Sequence, residues 1–115
     1  MTLRRVARTH PHEDHEGMAE LLSDDQIHDH LQRLPQWLAE GRELVRTVEL
    51  DSFPQAIQVV NRVAEIAEND NHHPDIDIRW RTLTFRCSTH SKGGITTLDA
   101  ALAQEIDGVI EAIAG

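Results

Sequence analysis

Apolar residues recur at the spacing of an α-helix in three segments of the chain. Their apolar faces are formed by Ile27, Leu31 and Leu34, by Ala56, Val59, Val60, Val63, Ile66 and Ala67, and by Leu98, Leu102, Ile106, Val109 and Ile113. Each segment follows a capping signal, given by Ser23 with Gln26, by Asp51 or Ser52, and by Thr96 with Asp99. The pattern predicts three helices, of which the first ends at Pro35 and the second at about Glu68.

Between the first two helices, apolar and polar residues alternate with the period of a β-strand. Residues 37–39 and 43–50 flank a turn at Gly41, and Leu44 and Val48 share one face of the second segment. This arrangement predicts an amphipathic hairpin.

A second alternation, over residues 76–87, changes its parity midway. Ile76 and Ile78 lead up to Trp80, whereas the later apolar positions have the opposite parity and begin at Leu83. Because one flat strand cannot exchange its two faces, we expect a tight turn or bulge near residues 79–81, and hence two strands.

The predicted order is α-β-β-α-β-β-α, an α+β domain in which helices cover one face of a four-stranded antiparallel sheet. The other face of so small a sheet would be partly exposed, which favours self-association. We assign residues 18–115 to this domain. Residues 1–17 contain His10, His12 and His15 without a helix or strand period. We interpret them as a disordered tail, the alternatives being a metal-scavenging tract or a start codon placed too early.

Composition narrows the functional classes. The chain has 115 residues, which suits one domain, and its net charge of −9 argues against nucleic-acid binding. No apolar run approaches the roughly 20 residues that cross a bilayer, and we recognise no signal peptide. The single cysteine, Cys87, cannot form an internal disulfide and has the parity of a core residue, so we expect a cytoplasmic protein.

Three of the eight histidines flank the predicted second hairpin: His72 and His73 precede it, and His90 follows it. Imidazole can accept or donate a proton near neutral pH, because its ordinary pKa is about 6.5. If the hairpin brings its ends together, these side chains form one acid/base site. The alternatives are exposed loop histidines and a metal triad, although the spacing fits no standard zinc pattern.

Three further residues have two interpretations each. Asp99 is either part of a helix cap or a pocket carboxylate, and Trp80 either packs on the hairpin or forms a wall for a flat heterocycle. Glu68 is either a surface residue at a helix end or a partner that orients a histidine.

The stretch Glu68-Asn69-Asp70-Asn71-His72-His73-Pro74, with Trp80, Thr89-His90, Gly93-Gly94-Ile95-Thr96 and Asp99, resembles the signature of pterin-4a-carbinolamine dehydratases. The resemblance covers about residues 23–114. It implies the α+β fold predicted above, assembled as a homodimer or homotetramer. It also implies dehydration of 4a-hydroxytetrahydropterin to quinonoid dihydropterin, which recycles tetrahydrobiopterin for aromatic amino acid hydroxylases.

The resemblance implies that the catalytic residues are His72, His73 and His90, and that neither a metal nor a cofactor is needed. Substrate-binding residues are then expected at Glu68, Asn71, Pro74, Trp80, Thr89 and Asp99. The chain departs from the family at Asn71, where animal enzymes often have Asp, and at Ile76, where an aromatic residue is frequent. A non-catalytic pterin-binding or protein-interaction module on the same fold is the alternative function.

Overall fold

Within residues 19–115, three helices and four strands follow one another in the predicted order. A computed structural model describes Gly17 and residues 19–115, so the predicted tail lies outside the described residues except for Gly17. The elements are α1 (Asp24–Gln32), β1 (Leu38–Glu40), β2 (Glu43–Glu49), α2 (Phe53–Asp70), β3 (Asp75–Arg79), β4 (Thr82–Cys87) and α3 (Thr97–Ala114), with a 3-10 turn at His90–Lys92 between β4 and α3.

The predicted capping residues begin all three helices. Ser23 and Thr96 form capping boxes at the starts of α1 and α3, and the Ser52 hydroxyl accepts the Gln55 N–H at the start of α2. At its other end, α2 continues two residues beyond the expected Glu68, as far as Asp70.

The C-cap of α2 is Asn71, the residue after the last helical position, and it has left-handed backbone angles with a φ of 55°. Asparagine tolerates this conformation better than most residues, and its N–H donates to the carbonyls of Ala67 and Glu68. The chain therefore turns sharply immediately before His72.

The four strands form one antiparallel sheet in the order β1-β2-β4-β3. The parity change in residues 76–87 is explained by a two-residue turn at Trp80 and Arg81, so the prediction of two strands there is confirmed. Trp80 takes a φ of 55° in this turn, a conformation that is rare for a bulky side chain.

The helices pack on one face of the sheet, where the apolar side chains of β2 and β4 meet those of α2 and α3. The core comprises Leu44, Leu83, Phe85, Cys87, Ala56, Val59, Val63, Leu102, Ala103 and Ile106, all at most 1% exposed. The prediction of a core cysteine is confirmed. Burial, and then the charge of Asp99, raise the pKa of the Cys87 thiol far above its ordinary value.

Arg46 is a polar residue on the helix-facing side of β2, and a carboxylate on α3 is its partner. Asp107 Oδ1 accepts hydrogen bonds from Arg46 Nη1 at 2.5 Å and from Trp37 Nε1 at 2.7 Å. This contact fixes α3 to the first hairpin as well as to the core.

The opposite face of the sheet is largely polar, as the alternation predicts. Thr47 and Thr84 are bonded through their hydroxyls at 3.0 Å, and Arg86 donates to Glu40 and Glu43. Several large apolar side chains are nevertheless exposed at the rim of the fold, namely Leu21, Leu38, Phe53, Ile78 and Trp80. Within residues 19–115, no helix is both long and apolar enough to span a membrane.

The left-handed conformation of Trp80 generates a stability prediction. Substitution by Asn should give a more stable protein than substitution by Ala, by about 1 kcal/mol, because Asn tolerates positive φ and Ala does not. Both variants lose the stacking of Arg81 over the indole ring, 4.7 Å from its centroid, so their difference isolates the backbone effect. Urea unfolding measures it, and an Ala variant as stable as the Asn variant would contradict the strained turn.

Candidate active site

The two histidine-bearing segments lie at the open end of the β3–β4 hairpin. In the sheet, Asp75 pairs with Arg86 at the start of β3. Continuing this antiparallel register outward by three residues places His72 opposite Thr89, next to His90. The predicted convergence of the two segments is therefore present in the fold.

A single buried carboxylate holds this end of the hairpin against α3. Asp99 Oδ1 lies 2.6 Å from His72 Nε2, while Asp99 Oδ2 accepts from Thr89 Oγ1 and from the Thr96 backbone N–H, both at 2.9 Å. Asp99, Thr89 and Thr96 are completely buried, and His72 is 3% exposed. Asp99 thus completes the helix cap, as one of its two interpretations predicts, and it also binds a histidine. Its role as a substrate-pocket carboxylate stays a prediction.

The protons in this network are fixed by the supply of donors. The single hydroxyl proton of Thr89 is donated to Asp99, so in the 2.8 Å contact between the two threonines Thr96 donates to Thr89. Because a carboxylate only accepts, His72 Nε2 must carry a proton, which leaves Nδ1 as the acceptor position of the neutral ring.

His73 has a different partner from His72 and is far more exposed to solvent. Its Nε2 lies 2.8 Å from Glu68 Oε1, with half of the histidine side chain and most of the glutamate side chain in solvent. Glu68 therefore has features of both interpretations, because it is an exposed residue near the end of α2 and its carboxylate also contacts a histidine. Pro74 follows, half-buried, at the entrance to β3.

His90 is exposed at the start of the 3-10 turn that joins β4 to α3. The turn is closed by hydrogen bonds from Thr89 N to Gly94 O at 2.8 Å and from Gly93 N to Thr89 O at 3.0 Å. Gly93 has a φ of 73°, which favours glycine. His90 lines a shallow depression of about 450 Å³ together with Glu40, Gly41, Arg42, Glu43, Ser88 and Gly93.

His72 lines a separate cavity, of about 650 Å³, at the junction of α2 and α3. Its other lining residues are Asn69, Asp70, Asn71, Leu98, Ala101, Leu102, Gln104 and Glu105. This cavity shares no lining residue with the depression at His90. The fold thus brings the three histidines to one end of the hairpin without enclosing them in one cavity.

Trp80 does not join the histidines within one chain. It lies in the turn at the closed end of the β3–β4 hairpin, and the five residues of β3 separate it from Pro74. At 3.3 Å per residue, the length of this strand is about 16 Å. The expected substrate contact from Trp80 is therefore not made by the same chain, in which 70% of this residue is exposed.

Two carboxyl groups in the His72 cavity escaped the sequence reasoning. Asp70 and Glu105 both line the cavity, and partial desolvation, followed by the neighbouring carboxyl group of Asp70, raises the pKa of Glu105 to about 7. The signal in the sequence was an acidic residue at the C-terminus of a helix, where the helix dipole disfavours negative charge.

Across Gly17 and residues 19–115, no group of three or more His, Cys, Asp or Glu side chains is arranged to hold a metal ion.

Comparisons with known proteins extend the picture. Residues 20–109 match the family model described as pterin 4 alpha carbinolamine dehydratase. A relative from Nocardia farcinica is 61% identical over 88 residues, which make up 76% of this chain and 93% of the relative. Another, from Roseiflexus castenholzii, is 50% identical over 93 residues, 81% of this chain and 100% of the relative. Both are provisionally named pterin-4-alpha-carbinolamine dehydratases.

Two solved structures share the fold. A transcriptional coactivator/pterin dehydratase from Brucella melitensis superposes with a TM-score of 0.76 at 26% identity, covering 84% of this chain and all of that protein. A pterin dehydratase-like protein identified as a RuBisCO assembly factor of the α-carboxysome superposes with a TM-score of 0.56 at 18% identity, covering 64% and 88%. Since the family model and the relatives cover most of its length, the chain belongs to the pterin 4 alpha carbinolamine dehydratase family.

Proposed function

We propose that the protein dehydrates a pterin-4a-carbinolamine to the quinonoid dihydropterin, using histidines as general acid and base. The observation that supports this most strongly is the buried Asp99, which ties His72 to Thr89 and so keeps the His72-His73 corner beside His90. The family membership supports the same reaction.

The reaction requires two proton movements. The C4a–O bond breaks and the hydroxyl leaves as water once an acid protonates it, while a base removes the proton from N5. Each positioned transfer can accelerate a reaction by about 10²–10⁴-fold. Histidine suits both roles, because either form of the ring is accessible near neutral pH.

The environments of the histidines suggest how the roles divide. His73 and His90 are exposed, so both can exchange protons with solvent between turnovers. His72 is buried, and its Nε2 proton is committed to Asp99 at 2.6 Å. We therefore assign proton transfer to His73 and His90, and binding and orientation of the pterin or its hydroxyl to His72.

Supporting contacts come from the remaining candidates. Glu68 orients His73 through the 2.8 Å contact. Thr89 immediately precedes His90 in the chain and donates a hydrogen bond to Asp99, which fixes the position of this segment. Asn71 sets the chain direction before His72, and Pro74 favours an extended backbone at His73. The pathway implied by the family, recycling of tetrahydrobiopterin for aromatic amino acid hydroxylases in the cytoplasm, is part of this proposal.

The distant position of Trp80 suggests a dimer in which the partner supplies it. β3 is an edge strand with the sequence Asp75-Ile76-Asp77-Ile78-Arg79, followed by Trp80. An antiparallel pair of β3 strands centred on Ile78 would place each Asp77 opposite the partner's Arg79. The partner's Trp80 would then lie opposite Ile76, two residues from Pro74. This register covers the exposed Ile78 and Trp80, and each chain would complete the site of the other.

A non-catalytic role is the second candidate, because one structural neighbour is described as a coactivator and another as an assembly factor. The two functions differ in a simple measurement. A dehydratase accelerates the loss of water from enzymatically generated carbinolamine above the spontaneous rate, whereas a binding module leaves that rate unchanged.

For the catalytic assignment, His73→Ala and His90→Ala should each lower kcat/KM for carbinolamine dehydration by about 10²-fold or more, since each removes one proton transfer. His28→Ala, which removes an exposed histidine on α1, is the control and should leave kcat/KM unchanged. Activity equal to that of the parent in both site variants would refute the assignment.

For the dimer, Asp77→Arg should weaken self-association by about tenfold or more, because it places two arginines opposite each other at both ends of the paired strands. The double variant Asp77→Arg/Arg79→Asp exchanges the charges and should restore association. Sedimentation over a range of protein concentrations measures both, with Asp29→Arg on α1 as the control. A double variant no better than the single one would count against this register.

A further inference from the structure

A cavity of about 170 Å³ lies between α1 and α3, next to the His72 cavity. We call it the Arg33 cavity. Its lining residues are Leu34, Ala100 and Ala101 on the apolar side and His30, Arg33, Thr97 and Gln104 on the polar side. Each of these polar side chains can donate a hydrogen bond, and none of the described lining residues is acidic. In a chain with a net charge of −9, this lining favours an anionic ligand.

The guanidinium of Arg33 is held in position by a neighbour on the same helix. Arg33 Nη2 donates to His30 Nδ1 at 3.2 Å, because a guanidinium has only donors. This contact uses one of its five N–H groups and leaves the others for a ligand. A planar guanidinium that is already oriented binds phosphate and carboxylate groups well, since it can contact two oxygens at once.

The Arg33 cavity and the His72 cavity are neighbours on the surface of α3. Each is lined by residues with the spacing of one helix face, beginning at Thr97 for the first and at Leu98 for the second. Ala101 and Gln104 line both cavities, and both residues are exposed. Because the side chain of Ala101 is a single methyl group, a ligand in the His72 cavity can extend past it to Arg33.

The two cavities differ in the sign of their charged groups. The His72 cavity contains the carboxyl groups of Asp70 and Glu105, whereas the Arg33 cavity contains the guanidinium. The amino and N–H groups of a pterin ring can donate to carboxyl groups. A phosphate or carboxylate on the substituent of that ring would be repelled by the carboxyl groups and attracted by the guanidinium.

We propose that the Arg33 cavity binds an oxyanion at the end of the side chain that the pterin carries at C6. The substrate class is then a reduced pterin with an anionic side chain, whose ring lies against His72 and whose chain crosses α3 at Ala101 and Gln104. This anion subsite rests on the proposed function, because that function places a pterin beside His72.

Two reduced pterins that differ in a single group test the subsite by binding alone. 7,8-Dihydroneopterin 3′-phosphate has an anion at the end of its side chain, and 7,8-dihydroneopterin is the same molecule without it. The phosphate ester should bind the parent protein about tenfold or more tightly, because it gains charge-assisted hydrogen bonds to Arg33. Isothermal titration calorimetry measures both Kd values, with inorganic phosphate titrated as a third ligand.

Three variants locate the source of this preference. Arg33→Ala should remove it while leaving the Kd of the uncharged pterin unchanged. Gln104→Glu puts a carboxylate at the boundary of the two cavities with little change of shape, so it should also remove the preference, and it suffices if Arg33→Ala does not fold. Arg62→Ala removes the same charge at an exposed position of α2 that lines neither cavity, and it should keep the preference.

Every result bears on the subsite. A preference that is lost in Arg33→Ala or Gln104→Glu and kept in Arg62→Ala supports it. Equal affinities in the parent protein, a preference that persists in both cavity variants or is also lost in Arg62→Ala, or binding of inorganic phosphate without a preference between the pterins overturns it.

The titrations also separate the subsite from the dehydratase, because they need no turnover. Failure of both pterins to bind would overturn the subsite together with the proposed function. A protein that shows the Arg33-dependent preference but does not accelerate carbinolamine dehydration would refute the proposed reaction and leave the anion subsite supported.

Discussion

The fold around the candidate site depends on one buried carboxylate. Asp99 receives donors from three segments that are distant in sequence: His72 after α2, Thr89 after β4 and Thr96 at the start of α3. Burying an unpaired carboxylate would destabilise the folded protein by several kcal/mol. The burial of Asp99 is therefore tolerated only when all three segments supply their donors. A residue that caps one helix thereby also fixes the relative positions of two loops.

This constraint separates the histidines by environment. His72 is held in a buried position by its contact with Asp99, whereas His73 and His90, which both follow it in the sequence, are exposed. A buried ring with a committed proton can orient a ligand, and exposed rings can exchange protons. The proposed reaction needs both kinds of group, so the division follows from burial rather than from residue type.

Much of the fold was predictable from the sequence because local physics decides it. The capping boxes at Ser23 and Thr96, and the parity change that marks the turn at Trp80, depend on neighbouring residues alone. The sequence also correctly predicted that the hairpin would bring the two histidine segments to one end. These features need no knowledge of which helix packs on which strand.

Other features depend on packing between distant segments and could not be predicted. The pairing of Arg46 with Asp107 joins two residues that look like ordinary surface positions in the sequence. The separation of the His72 cavity from the depression at His90 likewise depends on how α3 crosses the hairpin. Trp80 shows this most clearly, because it is close to the His72-His73-Pro74 motif in sequence but is separated from it by the whole length of β3.

The most direct test of the account is an experimental structure of the protein with a stable reduced pterin bound. The account predicts that the ring occupies the end of the hairpin where His72, His73 and His90 lie, with C4a and N5 within hydrogen-bonding reach of His73 and His90. A pterin bound at the polar face of the sheet, or in contact with none of these histidines, would contradict it.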